Sequence, residues 1–320
     1  MALAESMGGV WQLFELDTTL VTVVVGAALI GAVSGGLGSF AYLRRQGLVG
    51  DIVSHSSLLG IVGAFALSWL VTGTGSKSLL VLIPGAIVAG VGALILSREI
   101  QARTTIKEDT SLGLMLAIFF GSGLFLLRWV QRQSPAIQGH TGLEDYIFGM
   151  AAAMTRADLS MIVILGAVSV TMLALLWKEF QVFTFDPDFA RSLGMRTTLI
   201  DTAMLTLLVL GIVIGIQSVG VVLMISLLVT PASAARQWTK RLGSMVALSA
   251  AFGAFSGFFG ALISATELRV PTGPVVVLIA TAIFLVSILM APGRGVIARA
   301  RTRRRAADAL ALGPIGEEAR

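Results

Sequence analysis

Long apolar runs follow one another along this chain, separated by short connections that hold most of its charge. A membrane-crossing helix needs about 20 mostly apolar residues at a 1.5 Å rise to span a hydrocarbon core roughly 30 Å thick. Nine runs meet that length: Thr18–Tyr42, Leu48–Val71, Leu79–Leu96, Ser111–Leu127, Leu159–Trp177, Leu199–Ile216, Val219–Ala235, Ser244–Thr266 and Gly273–Ala291. The fold class they predict is all-α, a polytopic transmembrane helix bundle of about nine spans. Only Gln217 and Ser218 divide the sixth run from the seventh, which reads as helix, tight turn and helix.

Composition closes off other classes. The chain is 56% apolar and 13% charged, where a soluble domain carries about 25% charged residues. It has no cysteine, which removes disulfides, thiolate ligands and thiol nucleophiles together. No G-x-x-x-x-G-K-[ST] loop, His-Glu-x-x-His motif or Ser-His-Asp arrangement is visible, so the chain is expected to have no ATPase site of its own and not to be an enzyme. The opening nineteen residues are acidic, with no basic segment or small-residue cleavage site, and predict that the first run stays in the mature protein.

The net charge of +5 is spread in clusters between apolar runs, a pattern of topology and not of a nucleic-acid surface. Arg44 and Arg45, then Arg98, Arg103 and Lys107, then Lys178, Arg191 and Arg196, then Arg236, Lys240 and Arg241 fall in alternate connections. The positive-inside rule places these in the cytoplasm, the N-terminus outside and the C-terminus inside. Residues 1–292 form the expected transmembrane domain, and residues 293–320 a basic cytoplasmic tail suited to anionic lipid. Trp11, Trp69, Trp129, Trp177 and Trp238 all lie near expected span ends, where indole rings prefer the headgroup level. Small residues at close spacing, as in Gly31, Ser34, Gly35 and Gly38, predict tight helix packing, and Pro84 and Pro231 predict kinks.

Ionisable groups within apolar spans are costly and need a reason. Asp51 and His55, four residues apart, share one helical face. One reading has Asp51 reaching the cytoplasmic interface while His55 bonds a backbone carbonyl. The other has a carboxylate oxygen and an imidazole nitrogen holding one divalent cation, a donor pair suited to manganese, iron or zinc. Two ligands cannot satisfy such a cation, so the second reading requires a symmetric partner subunit. His140 and Glu144 repeat the spacing in an outer loop and read as an exposed polar turn or as weak metal guidance. Glu108 and Asp109 read as a helix start favoured by the helix dipole.

The inner connection contains Phe185-Asp-Pro-Asp-Phe-Ala-Arg-Ser-Leu-Gly194. Asp186 is the expected N-cap, Pro187 the first helical residue and Gly194 the left-handed stop. Phe189, Ala190 and Leu193 are expected on one apolar face, suited either to a groove on another protein or to the membrane surface.

Together these residues resemble the permease subunit of the manganese, zinc and iron ABC importers of bacteria. The resemblance runs from the first span to Pro292. It is most specific at Leu43-Arg-Arg-Gln-Gly-Leu-Val-Gly-Asp-Ile-Val-Ser-His55, at the Asp-Pro-Asp-Phe-Ala-Arg-Ser-Leu-Gly segment, at Ser218-Val-Gly-Val-Val-Leu-Met-Ile-Ser-Leu-Leu-Val-Thr-Pro-Ala232 and at Pro271-Thr-Gly-Pro274. Leu59 stands where the family usually has a proline. The resemblance implies a multi-pass protein of the bacterial cell (inner) membrane that imports Mn2+, Zn2+ or Fe2+, manganese foremost, with no permanently bound cofactor. It places Asp51 and His55 on the translocation path and makes Asp186 to Gly194 the coupling helix of a separate ATP-binding subunit. A second permease subunit, identical or related, and an extracellular or periplasmic metal-binding protein complete the implied assembly. The competing class is a proton-coupled secondary transporter with Asp51 as the proton carrier.

Overall fold

The computed structural model describes residues 18–76, 78–133, 154–266, 270–292 and 295–298. Apolar backbone in lipid must satisfy its own hydrogen bonds, and a helix does so within one segment. The long elements are α1 (Thr18–Leu43), α2 (Gly47–Thr72), α3 (Leu79–Arg103), α4 (Glu108–Arg132) and α5 (Arg156–Leu175). Then follow α6 (Trp177–Phe185), α7 (Pro187–Ser192), α8 (Thr197–Val219), α9 (Val221–Trp238), α10 (Leu242–Thr266) and α11 (Thr272–Met290).

Among the described residues, eight helices are long and apolar enough to cross a membrane: α1 to α5, α8, α10 and α11. The chain is a multi-pass membrane protein. The remaining expected span appears as α9, a helix of 18 residues, about 27 Å long at 1.5 Å per residue and so shorter than the hydrocarbon core. The turn expected at Gln217 and Ser218 lies instead at Gly220, at φ 87° and ψ 161°, and both of those residues belong to α8. The fifth span lies earlier than expected: α5 runs from Arg156 to Leu175, and α6 starts at Trp177 after a break at Leu176. Both α3 and α9 continue through their prolines, and α2 is unbroken through Leu59. Trp11, His140, Glu144 and the tail apart from residues 295–298 lie outside the described residues.

Helices in lipid gain little from burying apolar surface against one another, so close backbone approach must supply dispersion contacts. The α1–α10 pair is built that way. A Cβ on Gly31 would run into the Gly253 carbonyl, and Ser249 Oγ donates to the Gly35 carbonyl oxygen at 2.5 Å. The same device joins α2 to α3, where Gly60 meets Gly85 backbone to backbone. Helix α8 fills the centre with the fully buried Leu208, Ile212 and Ile216, and Ser34 Oγ of α1 donates to its Gly211 carbonyl at 3.3 Å. Val88, Phe125, Ile164 and Leu278 point outward from α3, α4, α5 and α11, as lipid-facing side chains do.

The connections rich in Lys and Arg gather at one end of the bundle. Phe40, near the end of α1, packs edge-on against Trp177 and Phe180 of α6, each with ring centroids 6.0 Å apart. Tyr42 and Leu43 pack on a buried cluster of Ala232, Ala235 and Met245 where α9 turns into α10.

Candidate functional site

Helix α2 buries Ile52, Val53, Ser54, Ser56, Ser57 and Leu58 against its neighbours. Positions 51, 55, 59, 63, 67 and 71 are not buried, a four-residue spacing that draws one stripe along the helix. Asp51 and His55 open this stripe near the basic end of the bundle. His55 Nε2 lies 3.2 Å from Asp51 Oδ1, with 18% of the His55 side chain and 32% of the Asp51 side chain exposed. One turn further, the stripe enters an apolar groove of about 740 Å³ between α2 and α3, lined by Leu59, Gly63, Leu67, Pro84 and Val88, with Phe119 of α4.

The pair is a two-toothed donor set: one carboxylate oxygen and one imidazole nitrogen turned to each other on a partly open face. Among the described residues no third His, Cys, Asp or Glu joins it in a cluster able to hold a metal ion. A single chain therefore presents an incomplete coordination shell, since transition metals take four or more ligands. Behind the pair, Ser56 and Ser57 return their hydroxyls to the Val53 carbonyl, at 3.2 and 2.6 Å. His55 Nδ1 is buried without a hydrogen-bond partner, and the ring meets Phe120 of α4 edge-on, with centroids 4.7 Å apart. Among the described residues, His55 has no backbone carbonyl partner of the kind considered for it.

The expected helix in the inner connection forms as α7. Asp186 Oδ1 accepts from the Phe189 amide at 2.9 Å, Pro187 occupies the first turn, and Gly194 closes the helix at φ 75°. Its apolar side chains do not share one face. Phe189 and Leu193 are 51% and 57% exposed, whereas Ala190 is fully buried. Ala190 is the small residue that lets α7 sit on the bundle, and the outward surface is Phe189 and Leu193 with Phe185 before them.

A third constellation was not apparent in the sequence. Asp201, in the first turns of α8, receives Arg44 Nη1 on Oδ1 and Arg98 Nη1 on Oδ2, both at 2.5 Å. Arg44 also lies over the Phe183 ring of α6, 4.5 Å from its centroid. These contacts tie the α1–α2 corner to α3, α6 and α8. The available signal was Asp201 itself, an acid at the start of an apolar run and on the side where arginines collect; nothing local says which arginines reach it.

The zinc transport system membrane protein TroC of Treponema pallidum is 42% identical over 299 residues, covering 93% of this chain and 97% of that protein. The manganese transport system membrane protein MntC of Bacillus subtilis is 39% identical over 300 residues, covering 92% of this chain and 67% of that one. Among solved structures, a chain of PsaBC from Streptococcus pneumoniae in complex with Fab superimposes with a TM-score of 0.78 at 28% identity, covering 93% of this chain and 99% of that one. The ABC 3 transport family matches residues 16–291, nearly the whole membrane bundle, and the chain belongs to that family.

Proposed function

We propose that this chain is the membrane-spanning permease subunit of an ATP-driven importer of divalent transition-metal cations, manganese foremost, with zinc and iron as further cargo. The observation that carries this reading is the Asp51–His55 pair, an oxygen and a nitrogen donor 3.2 Å apart on an unburied stripe with no third ligand in its cluster among the described residues. Relatives named as zinc and manganese transport proteins support the cargo class. The incomplete shell is the physical reason for a second permease subunit: a twofold axis beside the α2 stripe doubles two ligands to four.

The cation is substrate, not a resident group. It arrives from an external metal-binding protein and gives up water as Asp51 and His55 of both subunits replace it. The chain has no phosphate-binding loop of its own, so ATP is bound and hydrolysed by a separate subunit. Phe189 and Leu193 offer that subunit two exposed apolar side chains on a capped helix, at the end of the bundle where the basic connections gather. That end is cytoplasmic by the positive-inside rule, in the inner membrane of a bacterial cell.

Cells carrying the complex test this through uptake of manganese, zinc and iron. Asp51→Ala and His55→Ala are each expected to lower kcat/KM at least about a hundredfold, the upper end of the loss when only an orienting partner of a ligand is removed, with the protein still present in the membrane. Uptake is expected to require ATP in sealed vesicles and to survive a protonophore. Metal uptake that collapses with the protonophore and ignores ATP overturns this reading in favour of proton coupling through Asp51.

A further inference from the structure

A histidine that ligates a metal has to aim one nitrogen, and most such rings are held by a hydrogen bond from the other nitrogen to a carboxylate, carbonyl or water, which also raises ligand basicity. No carboxylate or carbonyl among the described residues gives His55 that hold. Its Nδ1 is buried and unpartnered, and its polar contact to Asp51 is made through Nε2, the side a cation shared by the two groups has to occupy. Once a cation sits there, no hydrogen bond from the described residues fixes the ring.

What does touch the ring is Phe120. The two rings meet edge-on, with centroids 4.7 Å apart and an interplanar angle of 70°, an arrangement favoured by aromatic quadrupoles. Phe120 is itself held, packed partly buried against the main apolar core. Its helix reaches this close because of Gly123: a Cβ there would press into the backbone of Leu59, one turn beyond His55. Glycine at 123 and phenylalanine at 120 thus bring a flat, rigid side chain to bear on the imidazole.

We propose that Phe120 is the positioning residue of the cation site, an apolar substitute for the usual hydrogen-bonded orienter. This rests on the permease reading above. An aromatic wall fixes the direction of Nε2 without adding charge or basicity, so the cation is oriented but not gripped tightly. A transport site needs that combination, because it must release what it binds.

The test is initial-rate manganese and zinc uptake by the complete transporter in proteoliposomes. Phe120→Leu removes the flat ring and is expected to raise KM for manganese about tenfold, the lower end of the loss seen when an orienting partner is removed, while kcat changes less than about twofold. Phe120→Tyr keeps the ring and is expected to keep KM within about twofold of the parent. Phe120→Met, which keeps bulk without a ring, replaces the leucine variant if that protein does not reach the membrane, with the same rise expected. An unchanged KM in the leucine or methionine variant, or a fall in kcat alone, overturns the proposal. His55→Ala run in parallel separates the two levels. If it abolishes uptake while Phe120→Leu is indifferent, only the role of Phe120 falls; if it transports normally, the site itself is misassigned.

Discussion

Asp201 is the residue whose loss the structure prices most directly. Asp201→Asn keeps the shape of the side chain and removes its charge, leaving two guanidinium groups facing a neutral amide. Arg44 and Asp201 are 16% and 17% exposed and meet at 2.5 Å, so their pair is close to the buried case, in which removing one partner costs about 3–5 kcal/mol. Arg98 is 35% exposed, and its share falls toward the surface value of about 0–1 kcal/mol. The amide still accepts one hydrogen bond, which offsets part of the loss, and the net expectation is about 3 kcal/mol. At roughly 2 °C per kcal/mol for a long chain, the midpoint of thermal unfolding in detergent should fall about 6 °C. A double-mutant cycle sharpens the assay: adding Arg44→Gln to Asp201→Asn removes the stranded charge, so the second change should cost less there than in the parent, with a coupling of about 1–3 kcal/mol. A midpoint within about 1 °C of the parent, or strictly additive changes, would show that water already screens the three groups and that the network does not hold the α1–α2 corner.

Two further outcomes follow from local geometry. Gly220 sits at φ 87° and ψ 161°, a region open essentially to glycine alone, so Gly220→Ala should destabilise by about 1–3 kcal/mol, read as a lowered unfolding midpoint; an unchanged midpoint would mean that the turn relaxes freely. Phe189 and Leu193 are outward-facing on α7, so Phe189→Asp with Leu193→Asp should leave the unfolding midpoint within about 1 °C, as exposed substitutions do, while abolishing co-purification of the ATP-binding subunit. Retention of that subunit would place its docking surface elsewhere.

What the sequence determined by itself is local. Run length announced the spanning helices, because a hydrocarbon slab sets a minimum number of residues and lipid forces each backbone to bond to itself. The capped helix at Asp186 was legible because its signals are neighbours: Asp186 bonds the amide three residues on, and Gly194 stops the turn. The nearness of Asp51 to His55 follows from helical pitch alone. The boundary between α5 and α6 was not legible, since Leu175, Leu176 and Trp177 continue the apolar run unbroken up to Lys178.

Tertiary structure decided everything that depends on which way a helix is turned. It put Ala190 inward while Phe189 and Leu193 point out, set Phe120 against His55, and brought Arg44 to Asp201 across 157 residues of chain. In water an apolar stripe marks the buried face of a helix. In lipid both the packed and the free faces are apolar, so hydropathy carries no facing signal, and rotation is settled by close approach of small residues and by pairing of the few charges.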